Sequence, residues 1–210
     1  VRLIIVRHGE SHVNVASWET LHTLDTELTP TGHQQATQLR NWLWKHGAKT
    51  DALYCSTMIR ARQTAHYLSE AFNLAPTFDD RLREIGTTYA TGLPIEEALL
   101  PRSFANRYAD EAPFIPRSIE VENVESWMHF RIRLAVFIDD LIVKHLDQTV
   151  YVVAHGGVIA GMIDNVFNVG PYRRCSTLID NTGWTEFGFK PNAGREPWTL
   201  RAHNRTDHLG

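Results

Sequence analysis

Two short apolar runs that end the same way constrain this chain more than any other feature. Leu3-Ile4-Ile5-Val6 breaks into Arg7-His8-Gly9, and Val150-Tyr151-Val152-Val153-Ala154 breaks into His155-Gly156-Gly157. Unbroken apolar stretches of this length, rich in β-branched residues, suit strands buried on both faces of a parallel sheet. Parallel strands point their carboxyl ends the same way, and open α/β sheets bind ligands in the crevice beyond those ends. His8 and His155 are therefore expected to face one another at one mouth.

The segments between these runs follow a βαβ rhythm. In Leu28-Thr29-Pro30-Thr31-Gly32, Thr29 is a good N-cap with Pro30 at the first helical position, and Thr31 with Gln34 offers an alternative capping box. The helix carries Ala36, Leu39 and Leu43 on one face and should stop at Gly47. Ala52 to Cys55 reads as a strand, and Ser56 or Thr57 then caps a helix with Ala61, Ala65, Leu68 and Phe72 inward. Residues 77–85 look extended. A long helix is expected from about residue 122 to 145, burying Val124, Trp127, Leu134, Phe137, Ile138 and Leu141. Another starts after His155 with Met162, Ile163, Val166 and Phe167 inward, and two alternating stretches from Trp184 and Trp198 pair as a hairpin. Residues 12–27 read as a loop with one helical turn. Residues 86–120 carry Pro94, Pro101, Pro113 and Pro116 and read as a lid or specificity insertion. The expected fold is α/β: a three-layer sandwich with a mostly parallel central sheet flanked by helices, a single domain over residues 1–210, and a helical or loop insertion over the site.

Composition narrows the function classes. With 210 residues the chain can bury a sizeable core. A net charge of -3 argues against binding nucleic acid through bulk charge, so an anionic ligand has to be held by locally placed cations. Cys55 and Cys175 show neither metal spacing nor a disulfide framework. No stretch is long enough to span a membrane, and the opening apolar run is too short for a signal sequence. A cytoplasmic location is the expectation, with a leader before Val1 and the oligomeric state left open.

Arg7 adjoins His8, and Arg60 sits on the first turn of the helix after the second strand, at the same sheet edge. Two arginines and two histidines at one mouth form a compact anion pocket, with the helix amino terminus after Gly157 adding backbone donors. Glu84 would bring a carboxylate to that rim, with Glu10, Asp79 and Asp80 as rivals. Arg62 and the pair Arg173-Arg174 read as surface charges.

The residues also match a known pattern. Arg7-His8-Gly9-Glu10-Ser11 with Asn14, Leu28-Thr29-Pro30-Thr31-Gly32 with Gln35-Ala36, and Ser56 through Arg60-Ala61 to Thr64-Ala65 resemble the histidine phosphatase, or phosphoglycerate mutase-like, superfamily. So do Leu82-Arg83-Glu84-Ile85, Glu125-Ser126 and Val152-Val153-Ala154-His155-Gly156-Gly157, in the family's order. The resemblance implies that His8 is a nucleophile that forms a phosphohistidine. It implies that Arg7, Arg60 and His155 bind the phosphoryl oxygens, with Asn14 and the backbone near Gly156 in support, and that Glu84 is the acid and base. A backbone carbonyl or similar acceptor would fix the tautomer of His8. No metal or other cofactor is needed, and the partner is a small phosphorylated substrate. Gly86-Thr87-Thr88-Tyr89-Ala90-Thr91-Gly92 departs from the pattern of many small phosphatases in the family, which bears on substrate preference. The lysine-bearing insertion of the glycolytic mutases is missing, so a phosphatase is favoured over a mutase. A phospho-recognition module without turnover and a metal hydrolase are the remaining alternatives. The tail, residues 204–209, resembles family carboxyl ends that fold over the pocket.

Overall fold

The computed structural model describes residues 1–16, 25–85, 125–171 and 175–210. The segment read as a lid, Val124 and the pair at 173–174 lie outside the described residues. Six strands, β1 (Arg2–Arg7), β2 (Ala52–Cys55), β3 (Thr77–Phe78), β4 (Thr149–Ala154), β5 (Trp184–Phe189) and β6 (Trp198–Arg205), form one sheet in the order β3-β2-β4-β1-β5-β6. The first four positions of that order are parallel, and β5 and β6 add an antiparallel hairpin on the β1 edge. The register pairs Val6 with Val153 and Arg7 with Ala154, so the residues that follow, His8 and His155, leave the sheet at the same level.

Alternation along β1 divides the core in two. Leu3 and Ile5 join Val150, Val152 and Phe187 on one face, beneath α4 (Trp127–Lys144) and α5 (Gly156–Val166). Ile4 and Val6 join Leu53, Cys55, Tyr151 and Val153 on the other, beneath α2 (Pro30–Lys45) and α3 (Ile59–Phe72). Each helix presents the apolar stripe read from the sequence: Ala36, Leu39 and Leu43 on α2, Ala61, Ala65 and Leu68 on α3, and Trp127, Leu134, Phe137, Ile138 and Leu141 on α4 are buried. With both faces covered, the short parallel strands can be apolar throughout, and the three-layer sandwich follows.

Several boundaries differ from the sequence reading, each for a local reason. The α3 helix starts at Ile59 with Met58 at the cap position, not Ser56 or Thr57. The Ser56 hydroxyl is committed to His155 and the Thr57 hydroxyl to Asp80, and the Ile59 amide donates instead to the Asp25 carboxylate at 2.9 Å. Residues 77–85 are extended only at Thr77–Phe78, because the Asp79 carboxylate accepts from the Arg81 amide and guanidinium and winds Asp80–Leu82 into a 3-10 turn. The α4 helix begins at Trp127, where the Ser126 hydroxyl accepts from the His129 amide. Thr29 caps α2 by accepting from Gly32, so the alternative box at Thr31 is not used. Phe167 is exposed, since it lies just past the end of α5. The single turn α1 (His12–Val15) stands where one helical turn was expected.

The turn after β1 is pressed against the first turn of α2. A β-carbon at Gly9 would lie 2.6 Å from the Gly32 carbonyl oxygen, and one at Gly32 would collide with the Glu10 carbonyl. Glycine-to-alanine substitution inside a helix ordinarily stabilises by up to about 1 kcal/mol. For Gly32→Ala the sign should reverse, with a loss of roughly 1–3 kcal/mol from overpacking against backbone. Urea denaturation measures it, and a gain in stability would contradict the contact.

Candidate active site

The carboxyl ends of β1 and β4, the start of α3 and the residues after the 3-10 turn converge on one hollow. His8 is buried, and its amide donates to the Ala154 carbonyl at 2.9 Å. Its Nδ1 stands 2.6 Å from the Gly9 carbonyl oxygen, which can only accept, so Nδ1 carries the proton. The lone pair on Nε2 then accepts from Arg60 Nε at 3.0 Å. His155 lies edge-on to His8, with ring centroids 5.1 Å apart, and its Nε2 meets the Ser56 hydroxyl at 2.8 Å. Its Nδ1 is buried without a hydrogen-bond partner. Arg7 donates through Nη1 to the Ile179 carbonyl at 2.6 Å, while its Nε, also buried, has no such partner. That Nε lies 3.7 Å from where a β-carbon on Gly156 would sit, which places Arg7 at the amino end of α5.

Glu84 reaches the same site from the stretch after the 3-10 turn, near enough for its charge to act on Arg7 and Arg60. Its carboxylate accepts from the Gly157 amide at 3.1 Å and from the Ile85 amide at 2.9 Å. The approach requires glycine at 157, because a β-carbon there would overlap the carboxylate. The rivals for this place are committed elsewhere: Glu10 to the Thr29 hydroxyl, Asp79 to Arg81, and Asp80 to Thr57. Asn14 behaves differently from its neighbours. Its carboxamide oxygen accepts from the Ser11 amide and hydroxyl and from Asn181, and so braces the loop after β1. Among the described residues no group of three or more His, Cys, Asp or Glu could hold a metal ion.

Burial dominates the electrostatics. It pushes both His8 and His155 well below the usual histidine range, and the Arg60 and Arg7 charges push the same way. Burial also lowers Arg60 to about 10, opposed by the charges of Glu84 and Asp25. Arg7 is lowered by burial and partly supported by Glu84 and Asp180. A pocket in which every cationic group has lost solvation is one that gains most from an entering anion.

Several supporting residues were not singled out from the sequence. Arg133 on α4 binds Glu125 through Nε at 2.8 Å and Nη2 at 2.5 Å. The same guanidinium donates to the carbonyls of Arg81, Arg83 and Glu84, fixing the stretch that carries Glu84. On the other side, the Thr182 amide donates to the Arg7 and His8 carbonyls at 3.1 and 3.2 Å, and Asn181 Nδ2 to the His8 carbonyl at 3.1 Å. Asn181-Thr182-Gly183 before an alternating strand is a turn signal, the one local hint of this brace.

The profile of the histidine phosphatase superfamily (branch 1) matches residues 3–205. Phosphoserine phosphatase 1 of Hydrogenobacter thermophilus is 34% identical over 213 residues, covering 100% of this chain and 95% of the relative. The crystal structure of Entamoeba histolytica phosphoserine phosphatase in complex with 3-phosphoglyceric acid superimposes with a TM-score of 0.73 at 26% identity, covering 100% of this chain and 99% of that one. The mycobacterial glucosyl-3-phosphoglycerate phosphatase in complex with VO3 gives a TM-score of 0.73 at 25% identity, covering 97% and 98%.

The two depressed imidazoles set how stability depends on pH in the absence of an anion. Above about pH 6.5 neither the folded nor the unfolded chain protonates them, and they contribute nothing. Below it the unfolded chain takes up protons that the folded chain refuses, so stability falls as the pH falls towards the folded values. The slope for two such groups is about 2.7 kcal/mol per pH unit. A His8→Asn/His155→Asn variant should lose stability below about pH 6.5 less steeply than the parent, by up to that amount per pH unit. Urea midpoints across the range test it, and parallel curves would show that the histidines titrate normally.

Proposed function

This chain belongs to the histidine phosphatase superfamily, and from that premise we propose that it hydrolyses the phosphomonoester of a small metabolite through a phosphohistidine at His8 Nε2. One observation carries the reading. The Gly9 carbonyl holds the proton on Nδ1, leaving Nε2 as a lone pair directed into a hollow lined by Arg7, Arg60 and His155.

The phosphoryl group seats among the Arg7 and Arg60 guanidiniums, the unpartnered Nδ1 of His155 and the amino end of α5 at Gly156, with Asn14 bracing the loop beneath. Nδ1 of His155 needs a proton to donate, and the incoming negative charge favours that proton. Arg60 transfers its Nε bond from His8 to a phosphoryl oxygen, which frees the nucleophile as the substrate arrives. Nε2 then attacks phosphorus in line, the bond to the ester oxygen breaks, and the Glu84 carboxyl protonates the departing alkoxide. In the second half Glu84 takes a proton from water, the resulting oxygen attacks phosphorus, and the N–P bond breaks to give orthophosphate and neutral His8. The arginines and His155 neutralise the developing charge, so the reading asks for no metal or other cofactor. The stretch holding Glu84 favours hydrolysis over mere recognition, since binding a phosphate requires no acid. Phosphoserine and phosphoglycerate derivatives appear in the names of the relatives, which supports small, carboxylate-bearing phosphomonoesters as the substrate class.

Release of orthophosphate from phosphoserine or 3-phosphoglycerate should be abolished in His8→Ala, lowered at least ~100-fold in Arg60→Ala, and unchanged by chelators. Acid-labile, base-stable phosphate should be trapped on the parent chain and absent from His8→Ala. Turnover that survives His8→Ala would overturn the proposal, and interconversion of phosphoglycerates with little phosphate release would identify a mutase.

A further inference from the structure

We infer that the carboxyl-terminal tail belongs to the catalytic apparatus: His208 is a positioning residue that holds Thr182 in a left-handed conformation and, through it, the Arg7–His8 peptide. The inference rests on the phosphate-handling roles proposed for Arg7 and His8.

Thr182 has φ of +58° and is fully buried. A β-branched residue resists that conformation, because its side chain crowds the backbone, and it persists only where surrounding contacts impose it. Here the conformation has a use. It turns the Thr182 amide towards the Arg7 and His8 carbonyls, while the Gly183 carbonyl accepts from the Arg7 amide at 3.0 Å. Neighbouring Ile179 supplies the carbonyl that anchors the Arg7 guanidinium. The backbone of the Arg-His pair and the Arg7 side chain therefore take their orientation from residues 179–183.

The tail supplies a side-chain clamp. The Thr182 hydroxyl lies 2.7 Å from the Asn181 carbonyl, to which it donates, and 2.8 Å from His208 Nε2. Both bonds form together only when Nε2 carries the proton and donates to the hydroxyl oxygen. His208 is nearly buried, and its Nδ1 has no hydrogen-bond partner. A second proton there would be buried without an acceptor, in keeping with an imidazole pushed down to about 4 by burial against the opposing charge of Asp207. A neutral, fixed donor is what the clamp requires. Asn204 secures the other side of the loop, accepting from the Asp180 amide and donating to its carboxylate.

The experiment separates positioning from simple packing by removing the strain. His208→Ala, Thr182→Gly, the double variant and His208→Gln are compared with the parent in phosphoserine turnover and in amide hydrogen exchange over residues 179–183. In the parent background His208→Ala should lower kcat at least tenfold with a smaller change in KM, while His208→Gln, whose amide can donate, should retain most of the activity. In the Thr182→Gly background, where glycine adopts the positive φ freely, removing His208 should change kcat less than twofold. Exchange should quicken in His208→Ala relative to the parent and be equal in the two glycine variants. An equal loss in both backgrounds, or an unchanged kcat in His208→Ala, would overturn the inference. Should His208→Ala fail to fold, the glycine pair and His208→Gln carry the same comparison. A parent chain without phosphatase activity would count against the proposed function instead, and the exchange measurements would still decide the clamp.

Discussion

Four nitrogenous groups are buried together at one site, and the rest of the site is arranged around that constraint. Arg7, Arg60, His8 and His155 each lose hydration there, and burial is the leading influence on all four. The fold offsets the cost with fixed partners: the Ile179 and Gly9 carbonyls, the Ser56 hydroxyl, and the charges of Glu84 and Asp25. What remains is a preorganised demand for negative charge, and preorganisation of this kind is where most of the catalysis of phosphoryl transfer resides. The Arg60–His8 bond belongs to the same arrangement, since one guanidinium orients the imidazole.

The parts of the fold that the sequence made legible are those whose determinants are local. The runs at 3–6 and 150–154 suit strands buried on both faces, and their shared register then brings His8 and His155 together. Thr29 and Pro30 announced the start of α2, and the positive φ of Gly47 follows its end. Where the reading failed, the deciding partner lay elsewhere in the chain or in a competing side chain. Nothing near Ile59 reveals that Asp25 will receive its amide, and the chelation of Arg81 by Asp79 overrides the extended look of 77–85.

The site divides in the same way. Arg7, His8, Arg60, His155 and Glu84 stand at or just beyond the ends of regular elements, so topology alone gathers them. The residues that hold them are dispersed. Arg133 reads as one more polar position on an amphipathic helix, yet it is buried against Glu125 and donates to the carbonyls of Arg81, Arg83 and Glu84. Thr182 reads as part of a turn, and its left-handed backbone has no signature in a β-branched residue. The side chains gathered at the mouth of the sheet are fixed there by topology, whereas those that hold other side chains can come from anywhere the packing permits.

The contact between Gly9 and Gly32 carries a historical consequence. Neither position can acquire a side chain, because the Gly32 backbone fills the space at Gly9 and the Glu10 backbone fills the space at Gly32. Descendants of this chain are free to rewrite the rim of the pocket and so change what they accept. The seam beside His8 stays closed to that exploration, and diversification of such an enzyme has to proceed around it.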